Sequence, residues 1–564
     1  MGKTGFLRVS GKAGSGSSSS STGKRRLMFY VAIGILAIVA VSITLIPRGS
    51  PGLQSGSPFG NLGNSENPAV DNSKEQSIKA FKERFCGDGR ANSNSYVTEL
   101  VLPSECELPL GITVGDGRVW YVSTKHGTLG SYNLSDKKFE EYLIPAWPAR
   151  SDPTDFNMAW AAKADGRGNV WFTDDRQGLL WRFNIANGTF DSFKSPASNP
   201  ISFDFDADGN VYLVGVRSKA LYFAEVSKMQ PGTSDGFTEI KLPLDAFANI
   251  EQSRVSSGSV AVDRERDAVW TTVLAFQQKG QVFRYDVATK DIRVFDLPQE
   301  LNSPVGTTVD AGGNLWVTDH GTNIFFKVDA GDGSMTRYVT SIASPRIYGG
   351  ESTPPNAYTL PYWIGLDSQG NIWFNQHTGN KISRFDPSTE TTTEYWVPTQ
   401  NELWANCPEG AQICGLANVL QMSVAPDGGR VWFTEWSENK IGYVDAGRQV
   451  PFSVAAPQDE ITVKRGDSAE IKLDVSSSSS SNGAGSSPSA ARMIASSNIT
   501  PTGGLGDSTG IFSQQSVELP AGGSRQVSYV FTPAASLPAG QYILMLGAEN
   551  DEVSVLKAVR VNVV

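Results

Sequence analysis

The sequence GNIWFNQHTGNKISRFD occupies Gly370–Asp386. A Gly-Asn turn leads into a short apolar run around Trp373, a polar loop follows, and a second alternating run ends at an Asp. Turn residues followed by alternation, twice in succession, predict a β-hairpin. The pattern recurs in GGNLWVTDHGTNIFFKVD at Gly312–Asp329, GRVWFTEWSENKIGYVD at Gly429–Asp445 and GNVWFTDDRQGLLWRFN at Gly168–Asn184. A hairpin that returns in this way indicates a repeat protein.

Seven copies of the hairpin are present, each centred on one aromatic residue. These residues are Trp120, Trp171, Tyr212, Trp270, Trp316, Trp373 and Trp432, spaced 41 to 59 residues apart. An apolar segment precedes each hairpin, and most hairpins are followed by an alternating strand that ends in Pro, such as TTEYWVP at Thr392–Pro398. Four strands per copy and seven copies predict an all-β fold, a seven-bladed β-propeller whose blade cores hold these aromatic residues.

The last repeat predicts how the ring closes. The seventh copy stops after its third strand, at Asp445, and the missing pattern stands before the first copy as YVTELVLP, Tyr96–Pro103. Because open sheet edges promote aggregation, we expect this N-terminal strand to complete the last blade.

The chain divides by composition into five parts. We predict a basic low-complexity tail at residues 1–26, a transmembrane anchor at 27–47, a stalk with a short helix over Ser73–Phe85 at 48–95, the propeller at 96–446, and a small immunoglobulin-like β-sandwich at 451–564. The anchor is predicted because Leu27–Ile46 are twenty uncharged, mostly apolar residues, enough to cross a bilayer.

Charge indicates the orientation and excludes one class of partner. Residues 1–50 hold seven Lys or Arg and no acid, which predicts a cytoplasmic N-terminus and an extracytoplasmic body in the cell membrane. The remainder carries 41 basic against 58 acidic residues, so a nucleic-acid partner is not expected. Sequons at Asn133, Asn187 and Asn498 are compatible with glycosylation.

Four cysteines form two sequence-local pairs. Three pairings are possible, and Cys86–Cys106 with Cys407–Cys414 closes the shortest loops. Neither pair has the spacing of a zinc site, so we predict disulfides, in agreement with an extracytoplasmic body.

The three histidines fall in one class of loop. His126, His320 and His377 lie between the second and third strands of their repeats, as do Asp319 and Glu435. Asp319, His320, His377 and Glu435 are therefore candidate ligands of Mg²⁺ or Ca²⁺, and the two His are candidate catalytic groups. Replacement of both His by Ala is expected to abolish metal binding while the fold survives. The alternative is that these loops are polar only because they are exposed.

The repeats GNLWVTDHGTNIF, GNIWFNQHTGNKISRF and RVWFTEWSENKIGYV resemble those of the streptogramin lyase (virginiamycin B lyase) family over about residues 96–446. The resemblance implies a seven-bladed propeller and magnesium-dependent elimination that opens a cyclic depsipeptide. The family's catalytic His stands in a Pro-His-Gly/Ala-Ile pattern at the start of the first strand. Here the matching positions are Leu110, Val305 and Tyr362, so no catalytic His is carried over.

Three functions remain open on the sequence, the third being a purely structural role in a cell envelope. The first is a membrane-anchored module that binds a small molecule or a surface polymer, which a stalk and terminal sandwich favour. The second is a metal-dependent lyase acting in the central cavity through a shifted site at His320 and His377. Fold alone does not decide between them.

Overall fold

Each sequence repeat forms a four-stranded antiparallel sheet in the computed structural model, which describes residues 68–343, 358–405, 415–478 and 489–564. The strands of the seven sheets, in chain order, are β1 (Val97–Val101), β2 (Pro109–Gly115), β3 (Arg118–Ser123), β4 (Thr128–Asn133), β5 (Phe139–Leu143), β6 (Ala162–Ala164), β7 (Asn169–Asp174), β8 (Leu179–Asn184), β9 (Thr189–Lys194), β10 (Pro200–Phe205), β11 (Val211–Gly215), β12 (Ala220–Ala224), β13 (Phe237–Lys241), β14 (Val255–Asp263), β15 (Ala268–Ala275), β16 (Lys279–Asp286), β17 (Ile292–Asp296), β18 (Pro304–Val309), β19 (Leu315–Asp319), β20 (Ile324–Val328), β21 (Met335–Val339), β22 (Pro361–Leu366), β23 (Ile372–Gln376), β24 (Lys381–Asp386), β25 (Thr391–Trp396), β26 (Val419–Val424), β27 (Arg430–Glu435) and β28 (Lys440–Asp445).

The sheets follow one another around a ring. Sheets 1 to 6 are built from four consecutive strands each, starting at β2, β6, β10, β14, β18 and β22, and sheet 7 has the order β26-β27-β28-β1. The first strands of most neighbouring sheets contact each other, sheet 3 contacts sheet 2 through β10 and β7, and β2 also contacts β26, so the series is closed. This all-β arrangement of four-stranded sheets is consistent with a β-propeller.

The closing strand takes the place that the sequence predicts for it. β1 pairs antiparallel with β28, from Val97 opposite Val444 to Val101 opposite Lys440. A buried ion pair reinforces the junction, because Lys440 Nζ lies 3.0 Å from Glu99 Oε2 and neither side chain is exposed. Lys440 also donates to Thr399 Oγ1 at 2.6 Å, which ties sheet 7 to the chain that leaves sheet 6.

An Asp-to-Trp hydrogen bond explains why the repeats carry Asp, Asn and Trp at fixed spacing. In sheet 6, Asp367 Oδ1 accepts from the backbone N–H of Asn371 at 2.9 Å, and Oδ2 accepts from the indole N–H of Trp373 at 2.8 Å. The pairs Asp165–Trp171 and Asp310–Trp316 repeat the indole bond at 3.0 and 2.9 Å. One carboxylate thus both closes the turn and satisfies the polar atom of a buried indole. The seven predicted core aromatics are all buried.

The C-terminal strands continue one sheet of the ring. These strands are β29 (Phe452–Ala455), β30 (Glu460–Val463), β31 (Ala469–Ser477), β32 (Ser489–Ser497), β33 (Thr509–Phe512), β34 (Ser516–Leu519), β35 (Ser524–Thr532), β36 (Gly540–Glu549) and β37 (Val553–Val563). One sheet has the order β29-β31-β35-β33, and in the other β37, β36, β32 and β34 follow β25 directly. β25 pairs antiparallel with β37, Thr391 opposite Lys557 through Tyr395 opposite Val553. No pattern in the sequence predicts this shared sheet.

A helix precedes the ring and packs on it. α1 runs from Pro68 to Phe85, slightly longer than the helix expected over Ser73–Phe85. Cys86, directly after the helix, lies at disulfide-bonding distance from Cys106, with the two Cα atoms 4.3 Å apart. Short 3-10 helices occur in the connections, at Pro148–Arg150, Val226–Lys228, Asp245–Phe247, Gln252–Arg254, Glu402–Trp404 and Trp436–Glu438.

Several sequence predictions fall outside the described residues. They are the basic tail at residues 1–26, the transmembrane anchor at 27–47, the stalk up to residue 67 and the pairing of Cys407 with Cys414. Within the described ranges, no helix has both the length and the apolar character needed to span a bilayer.

The sequons differ in their surroundings. Asn187 is exposed, Asn133 is half-buried, and Asn498 is buried. The side chain of Asn498 donates to the carbonyl of Arg337 and accepts from the backbone N–H of Ile543, both at 2.9 Å. The expectation that Asn498 is compatible with glycosylation is therefore wrong for this fold, because its amide is already bonded inside the protein.

Candidate functional site

One end of the ring is formed by the loops between the second and third strands together with the starts of the first strands. We call this end the loop face. The two sets of loops are hydrogen-bonded to each other: the backbone N–H of His320 donates to the carbonyl of Ser303 at 2.8 Å, and that of His377 donates to Leu360 at 3.0 Å. The sequence prediction that these loops share one end is confirmed.

His320 and His377 meet across two neighbouring sheets. Their rings are stacked, with centroids 5.5 Å apart and planes 10° from parallel. Each side chain is only 2% exposed, so the expectation of exposed loop histidines is wrong. The reason is packing that the loop sequences do not show: Tyr362 covers His320, with ring centroids 4.5 Å apart.

Burial determines the charge of this histidine pair. Loss of solvent, followed by the proximity of His377, lowers the pKa of His320 to about 3. Loss of solvent also lowers the pKa of His377 to about 4, against the opposing effect of its hydrogen bond with Asn418. Both imidazoles are therefore neutral at physiological pH, and each presents one donor and one acceptor nitrogen.

The tautomer of His377 follows from its neighbour. The amide nitrogen of Asn418 donates to Ser437 Oγ at 3.1 Å, so the amide oxygen faces His377 Nε2 at 3.3 Å. Nε2 therefore carries the proton, and Nδ1 presents its lone pair. Within the described residues, Nδ1 of His377 and Nδ1 of His320 have no hydrogen-bond partner.

Aromatic side chains meet across the centre of the ring at this level. Trp160, at the start of sheet 2, contacts Tyr362, at the start of sheet 6, with ring centroids 6.4 Å apart. Phe276, in the loop of sheet 4, lies 6.5 Å from His320. Rings from sheets that are not neighbours thus surround the histidine pair, and sequence reasoning had assigned none of these three aromatics a role in the site.

The carboxyl groups predicted to join the two histidines have other neighbours. Asp319 accepts from the backbone N–H of Ser303 at 2.8 Å and of Gly321 at 3.0 Å. Burial nevertheless raises the pKa of Asp319 to about 7. Its carboxylate fastens the loop to the start of β18, which is a structural role.

Glu435 lies in a different buried group. Its side chain is not exposed, and burial, followed by the charge of Glu99, raises its pKa well above the usual value while Lys440 opposes this. Both of its carboxyl oxygens lack a partner among the described residues. The four predicted ligands therefore do not converge: the structure brings together His320 and His377 only.

The described part of the chain contains no cluster of three or more His, Cys, Asp and Glu residues arranged for a metal ion. Binding of Mg²⁺ or Ca²⁺ remains a prediction, and two neutral imidazoles are in any case a poor match to cations that prefer oxygen ligands.

A second aromatic cluster lies where α1 packs on the loop face. Phe85 contacts Trp436 and Trp404, with ring centroids 5.4 and 5.3 Å apart, and Phe156 lies 5.5 Å from Trp436. The carbonyl of Arg84 accepts from the indole N–H of Trp404 at 2.9 Å. The helix therefore covers the part of the loop face formed by sheet 7 and the connection between sheets 1 and 2.

His126 does not join the other two histidines. It follows the core aromatic of its repeat by six residues, whereas His320 and His377 follow theirs by four. Its ring is partly exposed and lies in the neighbourhood of Lys125 and Glu141 on sheet 1.

Comparison with known proteins gives a fold-level likeness. No protein-family profile matches the chain, and no curated protein matches it. Among solved structures, virginiamycin B lyase from Staphylococcus aureus is 20% identical, with a TM-score of 0.46, over 62% of this chain and 98% of that one. A regucalcin from Agrobacterium tumefaciens, described as a calcium-binding protein, is 12% identical, with a TM-score of 0.33, over 50% and 87%. The WD40 repeats of RRP9 are 9% identical, with a TM-score of 0.42, over 63% and 99%. At identities this low, the likeness concerns the fold alone, which is that of β-propeller proteins.

Proposed function

We propose that the chain is a membrane-anchored, extracytoplasmic binding module: a seven-bladed β-propeller closed by its N-terminal strand and fused to an immunoglobulin-like sandwich. Its ligand is a small molecule or a surface polymer held at the loop face. A metal-dependent lyase acting in the central cavity is the alternative.

The observation that supports binding is a pair of buried polar atoms without partners at the loop face. Within the described residues these atoms are Nδ1 of His320 and Nδ1 of His377. Folded proteins satisfy the large majority of their buried polar atoms, since each unsatisfied one costs about 1–3 kcal/mol. Other unpartnered atoms lie inside the sheets, but two facing imidazoles in neighbouring loops are explained if a ligand completes their hydrogen bonds.

The same residues argue against proton abstraction. A general base works best with a pKa near the operating pH, and the pKa values of about 3 and about 4 for the two histidines make them weak bases. Tyr362 stands at one position where the lyase family carries His, and burial raises the pKa of its phenol, which keeps it protonated. Leu110 and Val305 at the other two positions cannot titrate at all.

A ligand screen on the full-length protein tests the proposal. Wild type and a His320→Ala/His377→Ala variant are compared for binding of oligosaccharides and short peptides by calorimetry, each with and without EDTA. We expect at least one ligand that wild type binds with EDTA present and that the double variant binds at least tenfold more weakly. Glu239→Ala, at an exposed position of the outer strand β13, is the control and should bind as wild type does.

Two results would contradict the proposal. Equal affinity of the double variant and wild type for every ligand found would remove the histidine pair from the binding site. Turnover of a bound ligand that stops in EDTA would favour the lyase alternative.

A further inference from the structure

We propose that a pocket on sheet 1, separate from the histidine pair, binds small amphipathic carboxylates. The pocket lies between the loop at Lys125–Gly127 and the connection at Arg150–Pro153, and its volume is about 470 Å³. That volume falls in the range of small-molecule sites, roughly 300–1,000 Å³.

The walls of the pocket provide positive charge. Lys125 and Arg150 line it together with His126, and no carboxylate among the described residues does. Burial lowers the pKa of His126, so its imidazole is neutral at physiological pH and offers hydrogen bonds instead of charge. In a protein with a formal net charge of −10, two basic side chains around one depression form a local exception that selects for an anion.

The neighbouring acids are already bonded elsewhere. Asp152 and Asp155 lie close enough to act on Lys125, as Glu141 does on His126. However, Asp152 accepts from the backbone N–H and hydroxyl of Thr154 at 2.8 and 3.0 Å, and Asp155 pairs with Arg176. The charges of these acids reduce the positive potential of the pocket, but their carboxylates are bonded to other groups.

Arg150 is the residue best placed to hold a carboxylate. It is exposed, it donates to the carbonyl of Ile144, and within the described ranges it forms no ion pair. Its remaining N–H groups can grip both oxygens of a carboxylate, the geometry for which guanidinium is suited. At the floor, Thr128 Oγ1 is buried without a partner in the described residues, which adds a donor for the same group.

Part of the pocket lining is apolar. Leu143 is 63% exposed and Pro153 is exposed, and both line the pocket. A carboxylate on a short hydrocarbon body would bury these surfaces while it meets Arg150, whereas a wholly polar anion would not. The structure therefore favours an amphipathic carboxylate over inorganic phosphate.

The pocket is held in shape before any ligand arrives. Gly127 has φ +66°, and a Cβ at this position would stand 2.3 Å from the ring of Trp147. Trp147 donates its indole N–H to the carbonyl of Thr124 at 2.9 Å, and Lys125 Nζ donates to Ala149 O at 2.6 Å. These contacts fix the loop against the connection, so little ordering is needed on binding.

Calorimetry on the full-length protein with hexanoate, hexylammonium and inorganic phosphate tests the inference. We expect hexanoate to bind, hexylammonium not to bind, and phosphate to bind at least fivefold more weakly than hexanoate. Arg150→Ala should weaken hexanoate binding about tenfold or more, because a hydrogen bond to a charged group contributes about this much. Leu143→Ser should weaken hexanoate binding and leave phosphate binding unchanged.

Controls separate this inference from the proposed function. Arg525→Ala removes an exposed arginine of the C-terminal domain and should bind hexanoate like wild type, as should the His320→Ala/His377→Ala variant. Failure of wild type to bind hexanoate, or equal binding by Arg150→Ala, overturns the carboxylate site. If phosphate binds as tightly as hexanoate, the proposal that the ligand has an apolar part is wrong. If binding is lost only in the His320→Ala/His377→Ala variant, hexanoate binds at the histidine pair instead.

Discussion

A single carboxylate, in the turn before the second strand, decides whether the indole N–H of a core tryptophan has a hydrogen-bond acceptor. In sheet 6, Asp367 serves both the turn and the indole of Trp373. In sheet 7 the corresponding residue is Ala425, whose backbone N–H donates to Arg430 as that of Asp367 donates to Asn371. Ala425 has no carboxylate, and the indole nitrogen of Trp432 accordingly lacks a partner among the described residues. The indole nitrogen of Trp270 in sheet 4 also lacks a partner in the described part of the chain, so the fold tolerates the loss of this bond in more than one sheet.

Replacement of Asp367 by Ala should lower the free energy of unfolding by roughly 2–4 kcal/mol, because a buried indole N–H and the Asn371 amide lose a charged acceptor together. Chemical denaturation monitored by Trp fluorescence measures the change. Asp427→Ala is the matched control, since Asp427 is exposed and accepts only from Gly429 within its turn. Similar losses in the two variants would contradict the role of the indole bond.

Glu435 should make stability fall as pH rises. Its folded-state pKa lies well above the ordinary value near 4.5, so the folded protein holds a proton that the unfolded chain releases. The resulting stabilisation is complete below pH 4.5 and is lost as pH rises towards the folded-state pKa. We expect Glu435→Gln to raise Tm at pH 8 relative to wild type and to leave Tm at pH 4 nearly unchanged.

Thermal melts between pH 4 and pH 8 in one buffer series check this prediction. Glu402→Gln, at an exposed position, is the control and should follow wild type throughout. A Glu435→Gln variant that is less stable than wild type at pH 8 would show that the ionised carboxylate is favourable in the fold.

At the level of elements, two neighbouring sheets each contain a buried ion pair at equivalent repeat positions. Lys381 and Glu394 in sheet 6 lie 2.7 Å apart, at the repeat positions that Lys440 and Glu99 take in sheet 7. Burial would raise the pKa of Glu394, but the charge of Lys381 and hydrogen bonds from Lys381 and Ser341 outweigh it and hold the pKa below its usual value. Each lysine begins the third strand and each glutamate lies in the fourth, so the pair joins the outer strand to its sheet.

The closing strand should depend on this pair. Glu99→Ala would remove the hydrogen-bonded counter-ion of the buried Lys440 and leave Glu435, whose raised pKa favours its protonated form, as the neighbouring acid. Removal of one partner of a buried ion pair typically costs about 3–5 kcal/mol. Because Glu99 lies in β1, hydrogen exchange should increase first along β1 and β28. Exchange that increases uniformly over all seven sheets would show that the junction is no weaker than the rest of the ring.

The local part of this architecture could be predicted from the sequence, and the remainder could not, for physical reasons. Turn residues and alternation act over a few positions, so the hairpins, the core tryptophans and the partner of β1 were all visible. The burial of His320 depends on Tyr362 and Trp160, which are brought to it by strands 40 to 160 residues away. The ion pairs were detectable in principle, because Lys and Glu recur at matching positions in KISRFD, KIGYVD, TTTEYW and YVTELV.

At the scale of the whole molecule, the C-terminal domain is attached to the ring by more than a linker. Beside the β25–β37 pairing, Arg560 forms an ion pair with Glu390, and Asn323 on sheet 5 donates to the carbonyl of Thr502 at 2.8 Å. The sequence could not reveal this attachment, since pairing between two β-strands 160 residues apart has no local signature. The domain also covers an edge that the other outer strands leave open.

Removal of residues 451–564 should therefore cause aggregation of the remaining chain. It would expose the edge of β25, where Tyr395 and Trp396 are at most 4% exposed in the full-length protein. Size-exclusion chromatography of the truncated chain should show oligomers. Lysine at Thr391 and Thr393 should restore a monomer, because charge on an edge strand opposes further pairing. A truncated chain that is monomeric without these changes would show that the edge needs no cover.

Mechanically, the shared sheet makes the C-terminal domain and the ring one continuous body under load. A pull along β37 stretches its bonds with β25 in shear, so that the pairs from Thr391 to Tyr395 resist together instead of opening one after another. A force applied to the C-terminal domain would thus be transmitted directly to sheet 6. From there it would pass through Lys440, Thr399 and Glu99 to β1, the strand that closes the ring.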